Sequence, residues 1–182
     1  MIILCKNFHT FVKHLLRTQK ITGPIKPGQA KRNLEGTLMN MQDIIVGVRH
    51  IGVYVEDMDS SLNRLASIFD HDPATLFQMP PAGEPAPDSR FAFIPVGNLD
   101  FELIQPISDK FKQLVSNPPP GINHIAFTVT DIELAVELMK KKGVRLGHVT
   151  TDAILDMPKS RVAYFNKEDT AGILIEFVEP RK

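Results

Sequence analysis

The stretch Gly47-Val-Arg-His50-Ile-Gly-Val-Tyr-Val55-Glu-Asp57 returns as Gly121-Ile-Asn-His124-Ile-Ala-Phe-Thr-Val129-Thr-Asp131, with the two histidines 74 residues apart. The stretch Phe101-Glu102-Leu-Ile-Gln-Pro106 returns at the same spacing as Ile175-Glu176-Phe-Val-Glu-Pro180. Separate motifs that share one offset indicate a duplicated structural unit. Each copy holds one histidine and one glutamate, and both residue types bind metal ions.

The sequence around each histidine predicts a strand followed by a helix. Apolar residues alternate with polar or small ones over 46–55 and 122–130, which is the period of a strand. Helices are expected from N-cap candidates at 57–60 to about residue 70, and from 131 to about 142. Three more strands are expected in each half, near 75–78, 90–96 and 99–105, and near 145–150, 160–166 and 172–179. The predicted unit is therefore βαβββ.

The boundary between the two halves is predicted at the proline cluster Pro118-Pro-Pro-Gly121, which follows a short helix expected over 108–117. We therefore predict an α+β protein with module one at 46–107, a linker at 108–121 and module two at 122–181. Residues 1–45 are predicted to be a leader outside the two modules.

The leader is basic, because residues 1–40 hold seven Lys or Arg against one acid, Glu35. The preferred interpretation is a disordered extension, or a reading frame opened too far upstream with its natural start at Met39 or Met41. The alternative is an organelle-targeting peptide, since such peptides are basic and poor in acids.

The composition narrows the class of protein. With 182 residues, 43% apolar and 23% charged, the chain has the make-up of a soluble globular protein. Its net charge of zero gives no sign of a nucleic-acid partner. No apolar run approaches the roughly 20 residues that cross a bilayer, so no membrane partner is expected. The single cysteine, Cys5, excludes an internal disulfide and agrees with a reducing compartment, so a cytoplasmic location is predicted.

The repeated histidines and glutamates form a candidate metal site. Glu102 and Glu176 stand among apolar residues, where an unpaired carboxylate would be costly to bury. A duplicated sheet folded about a pseudo-twofold axis could bring both glutamates and both histidines, His50 and His124, together. Two imidazoles and two carboxylates suit a divalent first-row metal, and an octahedral ion would keep two positions for substrate oxygens. The alternative is that the duplication preserved four structural polar residues.

These motifs resemble the vicinal oxygen chelate superfamily, which includes glyoxalase I, methylmalonyl-CoA epimerases, extradiol dioxygenases and bleomycin-resistance proteins. The resemblance covers about residues 46–181 and is greatest to the methylmalonyl-CoA epimerase family. It is carried by Arg49-His50-Ile-Gly-Val, Phe93-Ile-Pro-Val-Gly, Asn123-His124-Ile-Ala-Phe and Gly172-Ile-Leu-Ile-Glu176-Phe, among others. It implies tandem βαβββ modules that form a cupped mixed sheet around a metal.

The resemblance also implies the ligands and the reaction. His50, Glu102, His124 and Glu176 fall on the family's four ligand positions, for Co, Ni, Zn, Mn or Fe. The expected activity is that of an epimerase or isomerase that removes a proton next to a carbonyl, with Glu176 also as the general base. The expected substrate is a small molecule, with an acyl-CoA as the candidate, and the candidate assembly is a homodimer. The alternatives are a glyoxalase I-type lactoylglutathione lyase and a non-catalytic small-molecule-binding protein of the bleomycin-resistance type.

Two departures from the family pattern bear on the reaction. Some epimerases carry a second catalytic glutamate on the strand that aligns with Ser89-Arg-Phe-Ala-Phe93, and no acid stands there. Glu84 and Asp88 lie just upstream, so the group that returns the proton is left unassigned. The His-Pro-Lys that several family members have before the last strand is also absent, although Lys159, Arg161 and Lys167 could still contact phosphates.

Overall fold

The computed structural model describes residues 40–149 and 153–181. Most of the predicted leader, residues 1–39, lies outside the described residues. A short 3-10 turn at Met41–Asp43 begins the described part, capped by the Asn40 side chain. The next residue, Ile44, is only 1% exposed and packs in the hydrophobic core, so the chain is already part of the fold at this point.

Both halves of the described chain follow the predicted order of strand, helix and three strands. The first half consists of β1 (Ile45–Tyr54), α1 (Met58–Ile68), β2 (Phe77–Met79), β3 (Ser89–Val96) and β4 (Leu99–Pro106). The linking helix α2 spans Asp109–Leu114. The second half consists of β5 (Gly121–Val129), α3 (Ile132–Lys141), β6 (Leu155–Asp156), β7 (Ser160–Tyr164) and β8 (Leu174–Pro180). None of the described helices is both long and apolar enough to cross a membrane.

The eight described strands form one curled mixed sheet with the order β2-β3-β4-β1-β5-β8-β7-β6. The halves meet where β1 and β5 run antiparallel. Within each half the first and last strands run parallel, β1 with β4 and β5 with β8. Read from its two ends, the sheet presents equivalent strands of the two halves in the same order. This is the arrangement that a pseudo-twofold axis between β1 and β5 requires. The predicted α+β fold with a cupped mixed sheet is confirmed.

Helices α1 and α3 bury their apolar sides against the sheet face opposite the histidines. Helix α1 contributes Met58 and Leu62 to a core with Leu103 and Ile94. Helix α3 contributes residues such as Ile132 to a larger core around Phe177. Alternation along a strand then turns the intervening residues to the concave face. The helices therefore cover one side of the sheet and leave the other for the site.

One predicted strand is wrong. Instead of a strand near 145–150, the described residues 145–149 contain a single bridge between Leu146 and Phe165, and the edge strand is β6. His148 has a φ of +65°, which extended backbone does not allow. Gly147 lies so close to Asn166 that an added Cβ would be 3.0 Å from its Cα. Tertiary packing at these residues therefore ends the strand after one bridge.

Candidate metal centre

The two histidines of the repeat lie on the central strands and face each other across the pseudo-twofold axis. His50 on β1 pairs with Ala126 on β5, and Gly52 on β1 pairs with His124 on β5. The two pairs are equivalent by the repeat, because Ala126 is the repeat equivalent of Gly52 as His124 is that of His50. The symmetry of the register therefore brings both rings to one place on the concave face.

A bulge precedes each histidine. The register of β1 against β5 shifts between Val48 and His50, at Arg49, and shifts again at Asn123. Arg49 and Asn123 are equivalent residues of the repeat. A bulge bends its strand and redirects the side chains beside it, so these two bulges help to aim the rings.

The two glutamates reach the same place from the neighbouring parallel strands. Glu102 on β4 pairs with Gly52, and Glu176 on β8 pairs with Ala126, so the register is the same in both halves. All four side chains are buried, with at most 4% of any of these residues exposed. The structure thus brings together the four residues predicted as ligands; their binding of a metal stays a prediction.

The four side chains converge through one atom each. The Nε2 atoms of His50 and His124 are 3.0 Å apart. Oε2 of Glu102 lies 3.2 Å from Nε2 of His50 and 3.3 Å from that of His124. Oε2 of Glu176 lies 3.2 Å and 3.1 Å from the same two nitrogens. Both carboxylates therefore contact the histidine pair.

This arrangement fits a metal ion. Neighbouring ligand atoms about 2.1 Å from an octahedral ion are about 3.0 Å apart, close to the separations above. Oε2 of Glu176 is buried and has no hydrogen-bond partner of acceptable geometry among the described residues, although both nitrogens are near it. A buried carboxylate oxygen without such a partner can serve as a ligand to an ion. The ligand atoms of His50, His124 and Glu176 all lie within 4.8 Å of one another.

The charges of the four groups are strongly coupled. Burial alone would lower the pKa of His50, but the Glu102 and Glu176 carboxylates outweigh it and raise that pKa to about 10. The pKa of His124 is raised in the same way against its burial. Burial opposes ionisation of both glutamates, yet the two histidines lower the pKa of each carboxyl. Without a metal, His50 therefore retains its second proton at neutral pH.

An aromatic side chain lies beside each histidine, and the two differ in chemistry. Phe93 on β3 pairs with Glu102 and packs edge-on to His50, with ring centroids 6.4 Å apart. Tyr164 on β7 pairs with Glu176 and packs edge-on to His124, with ring centroids 6.2 Å apart. Burial and the nearby Glu176 carboxylate raise the pKa of Tyr164 well above its usual value. The second half thus places a phenol where the first half places an apolar ring.

Three residues of the centre, Tyr164, Gly52 and Asn123, are not among the site residues predicted from the sequence. Gly52 leaves room for the His124 ring, since an added Cβ would lie 2.0 Å from its Cε1. The side-chain oxygen of Asn123 lies 3.0 Å from Nδ1 of the same ring. The one available signal was the mismatch between the copies, which have Gly52 against Ala126 and Arg49 against Asn123.

The strand that carries a second catalytic glutamate in some relatives is apolar here. Phe91 on β3 is 8% exposed and packs edge-on to Phe111 of α2, with centroids 6.1 Å apart. Asp88 accepts a hydrogen bond of 2.9 Å from the Ser108 hydroxyl and so holds the start of α2. Glu84 is exposed in a turn. Both upstream acids therefore have a place outside the four-residue centre.

One residue considered for phosphate binding is engaged in ion pairs. Arg161 lies 2.7 Å from a carboxylate oxygen of Glu133 and 2.7 Å from one of Glu179. Lys167 is exposed. The structure therefore gives Arg161 a structural role, and Lys167 stays a prediction.

Comparisons with known proteins agree with this fold. The family profile described as "Glyoxalase/Bleomycin resistance protein/Dioxygenase superfamily" matches residues 49–180. The chain is 23% identical over 132 residues to mitochondrial methylmalonyl-CoA epimerase of Mus musculus, a match that covers 71% of this chain and 70% of the relative.

Solved structures with the same fold include two enzymes of that name. Methylmalonyl-CoA epimerase of Mycobacterium tuberculosis has a TM-score of 0.57 at 23% identity, over 81% of this chain and 95% of the other. The Streptomyces coelicolor enzyme, in complex with 2-nitronate-propionyl-CoA, has a TM-score of 0.57 at 20% identity, over 74% and 94%. A hypothetical protein of Bacillus halodurans has a TM-score of 0.58 at 24% identity, over 74% and 94%.

Proposed function

The chain belongs to the glyoxalase/bleomycin resistance protein/dioxygenase superfamily, and we propose that it is a divalent-metal-dependent epimerase that removes a proton next to a carbonyl. The observation that carries this proposal is the convergence of His50, His124, Glu102 and Glu176, with a carboxylate from each half against the histidine pair. The similarity to methylmalonyl-CoA epimerases supports the choice of reaction within the superfamily.

The proposed metal ligands are the four convergent side chains. A divalent ion held by them would act as a Lewis acid on two neighbouring substrate oxygens and stabilise the negative charge that develops when the proton leaves. The donor set of two imidazoles and two carboxylates suits Co, Ni, Zn, Mn or Fe.

The proposed proton-transfer groups are the two glutamates. Both have lowered pKa values and are ionised at neutral pH, which is the form that accepts a proton. We assign the abstraction to Glu176 and the return of the proton to Glu102. Since the pseudo-twofold axis relates them, a substrate carbon held over the histidine pair has one carboxylate on each side. With this assignment, the reaction does not need an acid on β3.

The charge of Arg49 indicates that the substrate is an anion or becomes one during the reaction. It is 7% exposed, and although burial lowers its pKa, the charges of Glu176, Asp100 and Glu102 oppose that shift. Its guanidinium therefore stays charged. With a divalent ion, two ligand carboxylates and Arg49, the centre would carry a net charge of about +1, which favours carboxylate or enolate oxygens. We infer that the substrate is a small carbonyl compound with a neighbouring acidic group, such as methylmalonyl-CoA.

A glyoxalase I-type lyase that acts on a thiol hemithioacetal is the second candidate. The observation that favours it is the symmetry of the centre, in which both carboxylates contact the histidine pair and β3 contributes Phe91 in place of an acid. Such a lyase also removes a proton next to a carbonyl and returns it to the neighbouring carbon. The same two carboxylates could carry out both transfers.

The test is exchange of the α-proton of methylmalonyl-CoA with deuterium from the solvent. Protein reconstituted with Co²⁺ or Zn²⁺ is expected to catalyse exchange, whereas chelator-stripped protein is not. Glu176→Gln should abolish exchange, because an amide does not accept the proton. It should bind more metal than His50→Ala does, because the amide oxygen still coordinates. Exchange by the stripped protein would contradict the proposed metal dependence.

A parallel assay separates the candidate functions. The same metal-loaded protein is offered a methylglyoxal–thiol adduct. Turnover of this adduct without exchange on methylmalonyl-CoA would replace the epimerase with the lyase. Metal-free protein that binds small molecules without turnover would instead point to the non-catalytic binding type.

A further inference from the structure

Two of the three register shifts in the central strand pair fall at Arg49 and Asn123, which occupy equivalent positions in the repeat but differ in chemistry. Each directly precedes a histidine of the candidate metal centre. A residue at a bulge beside a ring is well placed to contact that ring. The two halves of the centre therefore differ in how they can hold their histidines.

Asn123 fixes the protons of the His124 ring. Its side-chain oxygen is 3.0 Å from Nδ1 of His124. An amide oxygen accepts hydrogen bonds and does not donate them, so Nδ1 must carry the hydrogen. A neutral ring with its hydrogen on Nδ1 has its free lone pair on Nε2. Nε2 is the atom that faces His50 and both glutamates, so once the ring is neutral, Asn123 leaves His124 in the tautomer that binds a metal.

His50 has no such partner. Its Nδ1 is buried and makes no hydrogen bond to any residue in the described part of the chain. Arg49, at the position equivalent to Asn123, has only donor groups on its side chain and does not accept a hydrogen from Nδ1. The His50 ring instead packs against Phe93. The first half thus gives the His50 ring only a packing contact, whereas the second half also gives the His124 ring a hydrogen-bond acceptor.

We propose that Asn123 is a positioning residue of the metal centre, which accepts the Nδ1 hydrogen of His124 and so presets His124, but not His50, as a ligand. This proposal rests on the metal-dependent function proposed above. It assigns Asn123 a role that the repeat alone does not suggest, since the equivalent position in the first half is an arginine.

Metal affinity tests the proposal without reference to activity. The Kd for Zn²⁺ and Co²⁺ is measured by competition with a chromophoric chelator for wild type, Asn123→Ala and Asn123→Asp. Asn123→Ala is expected to bind about 10-fold more weakly, the usual effect of losing a partner of a ligating histidine. Asn123→Asp should bind at least as tightly as wild type, because a carboxylate also accepts the hydrogen. Asn63→Ala, on the exposed side of α1, is the matched control.

A second measurement follows the ring hydrogen itself in metal-free protein. In wild type, the nitrogen-bound hydrogen of His124 Nδ1 should be protected from solvent exchange in NMR spectra, whether the ring is neutral or protonated. The protection should be lost in Asn123→Ala and retained in Asn123→Asp. A residue needed only for packing would not be rescued by the aspartate.

The outcomes separate this proposal from the proposed function. Equal metal affinity of Asn123→Ala and wild type overturns the role of Asn123, and so does an Asn123→Asp protein as weak as Asn123→Ala. Failure of wild type to bind either ion overturns the metal-dependent function and with it the positioning role. In that case, a protected His124 hydrogen would still show that the hydrogen bond exists.

Discussion

At the scale of single residues, the absence of a side chain at Gly52 allows the His124 ring to reach the centre. A Cβ at this position would lie 2.0 Å from Cε1 and 2.3 Å from Nδ1 of that ring. The repeat places Ala126 at the equivalent position, so the strand itself does not require glycine. The requirement comes from the neighbouring strand, because Gly52 pairs with His124.

Gly52→Ala is therefore expected to move the His124 ring and weaken metal binding about 10-fold or more, with little effect on overall secondary structure. The measurement is the Kd for Zn²⁺ beside circular dichroism of the metal-free protein. Gly47→Ala is the matched control on the same strand, because a Cβ there meets nothing within 4 Å. If the two alanine variants bound Zn²⁺ equally, the clash would not matter.

The residues of the centre differ in how far the sequence reveals them. His50, Glu102, His124 and Glu176 could be predicted because they recur at one offset and suit one chemistry. Tyr164 could not, because its role depends on pairing with Glu176 across two strands, and an aromatic residue in a strand predicts only a core position. The same limit applied to the bulge residues, since a bulge is a property of two strands and not of one.

At the scale of elements, both long helices begin at an aspartate that the repeat preserves. Asp57 accepts a hydrogen bond of 2.6 Å from the backbone N–H of Ser60, and Asp131 accepts one of 2.9 Å from Leu134. Each helix then packs on the sheet face opposite the histidines. The caps therefore stabilise the support of the centre without contact to it.

Asp57→Ala and Asp131→Ala are each expected to lower the free energy of unfolding by about 1 kcal/mol, the usual cost of an N-cap. The Kd for Zn²⁺ should not change, since the caps contribute no ligand. Urea denaturation and chelator competition provide the two measurements, with exposed Glu137→Ala on α3 as the control. An unchanged midpoint for both variants would show that the caps contribute nothing.

The bounds of helices and strands could be predicted from the sequence where local residue patterns determine them. β3 and β4 match the strands predicted at 90–96 and 99–105, and the chain turns between them at Gly97, whose φ of +62° suits glycine. The strand predicted near 145–150 was wrong because nonlocal contacts decide there. Gly147 is pressed against Asn166, and His148 takes a positive φ. A local alternation of residues carries no information about either contact.

At the scale of the whole molecule, the centre exists only where the two halves meet. Each half supplies one histidine and one glutamate, and the contacts run across the β1–β5 junction. The constant offset in the sequence could predict this symmetry, because equal spacing places equivalent residues in equivalent registers. The buried carboxylates and imidazoles then tie the stability of the fold to pH and to metal.

The metal-free protein should lose stability as the pH rises above about 6.5. The pKa of His50 is about 10 in the folded protein, against an unfolded value of about 6.5, and that of His124 is also raised. A raised folded pKa gives stability that is fully present below the unfolded pKa and is lost as the pH rises through the folded pKa. The maximum slope is about 1.4 kcal/mol per pH unit for each proton.

The acid side is less informative, because two destabilising effects overlap there. The lowered pKa values of Glu102 and Glu176 give stability that is lost as the pH falls below about 4.5. His148 also destabilises below pH 6.5, since burial and the nearby His124 lower its pKa to about 4. The decisive comparison therefore lies between pH 6.5 and 9.

Urea denaturation of chelator-stripped protein at pH 6.5 and pH 9 is expected to show a lower free energy of unfolding at pH 9. Saturating Zn²⁺ should reverse the trend, because bound histidines must be deprotonated and the ion gains affinity as protons leave. His50→Ala removes one of the raised groups and should flatten the slope of the stripped protein. A stripped wild type equally stable at both values would mean that its histidines do not hold protons against the buried carboxylates. That result would contradict the inferred electrostatic coupling between the histidines and glutamates of the two halves, even if the four side chains still bound a metal.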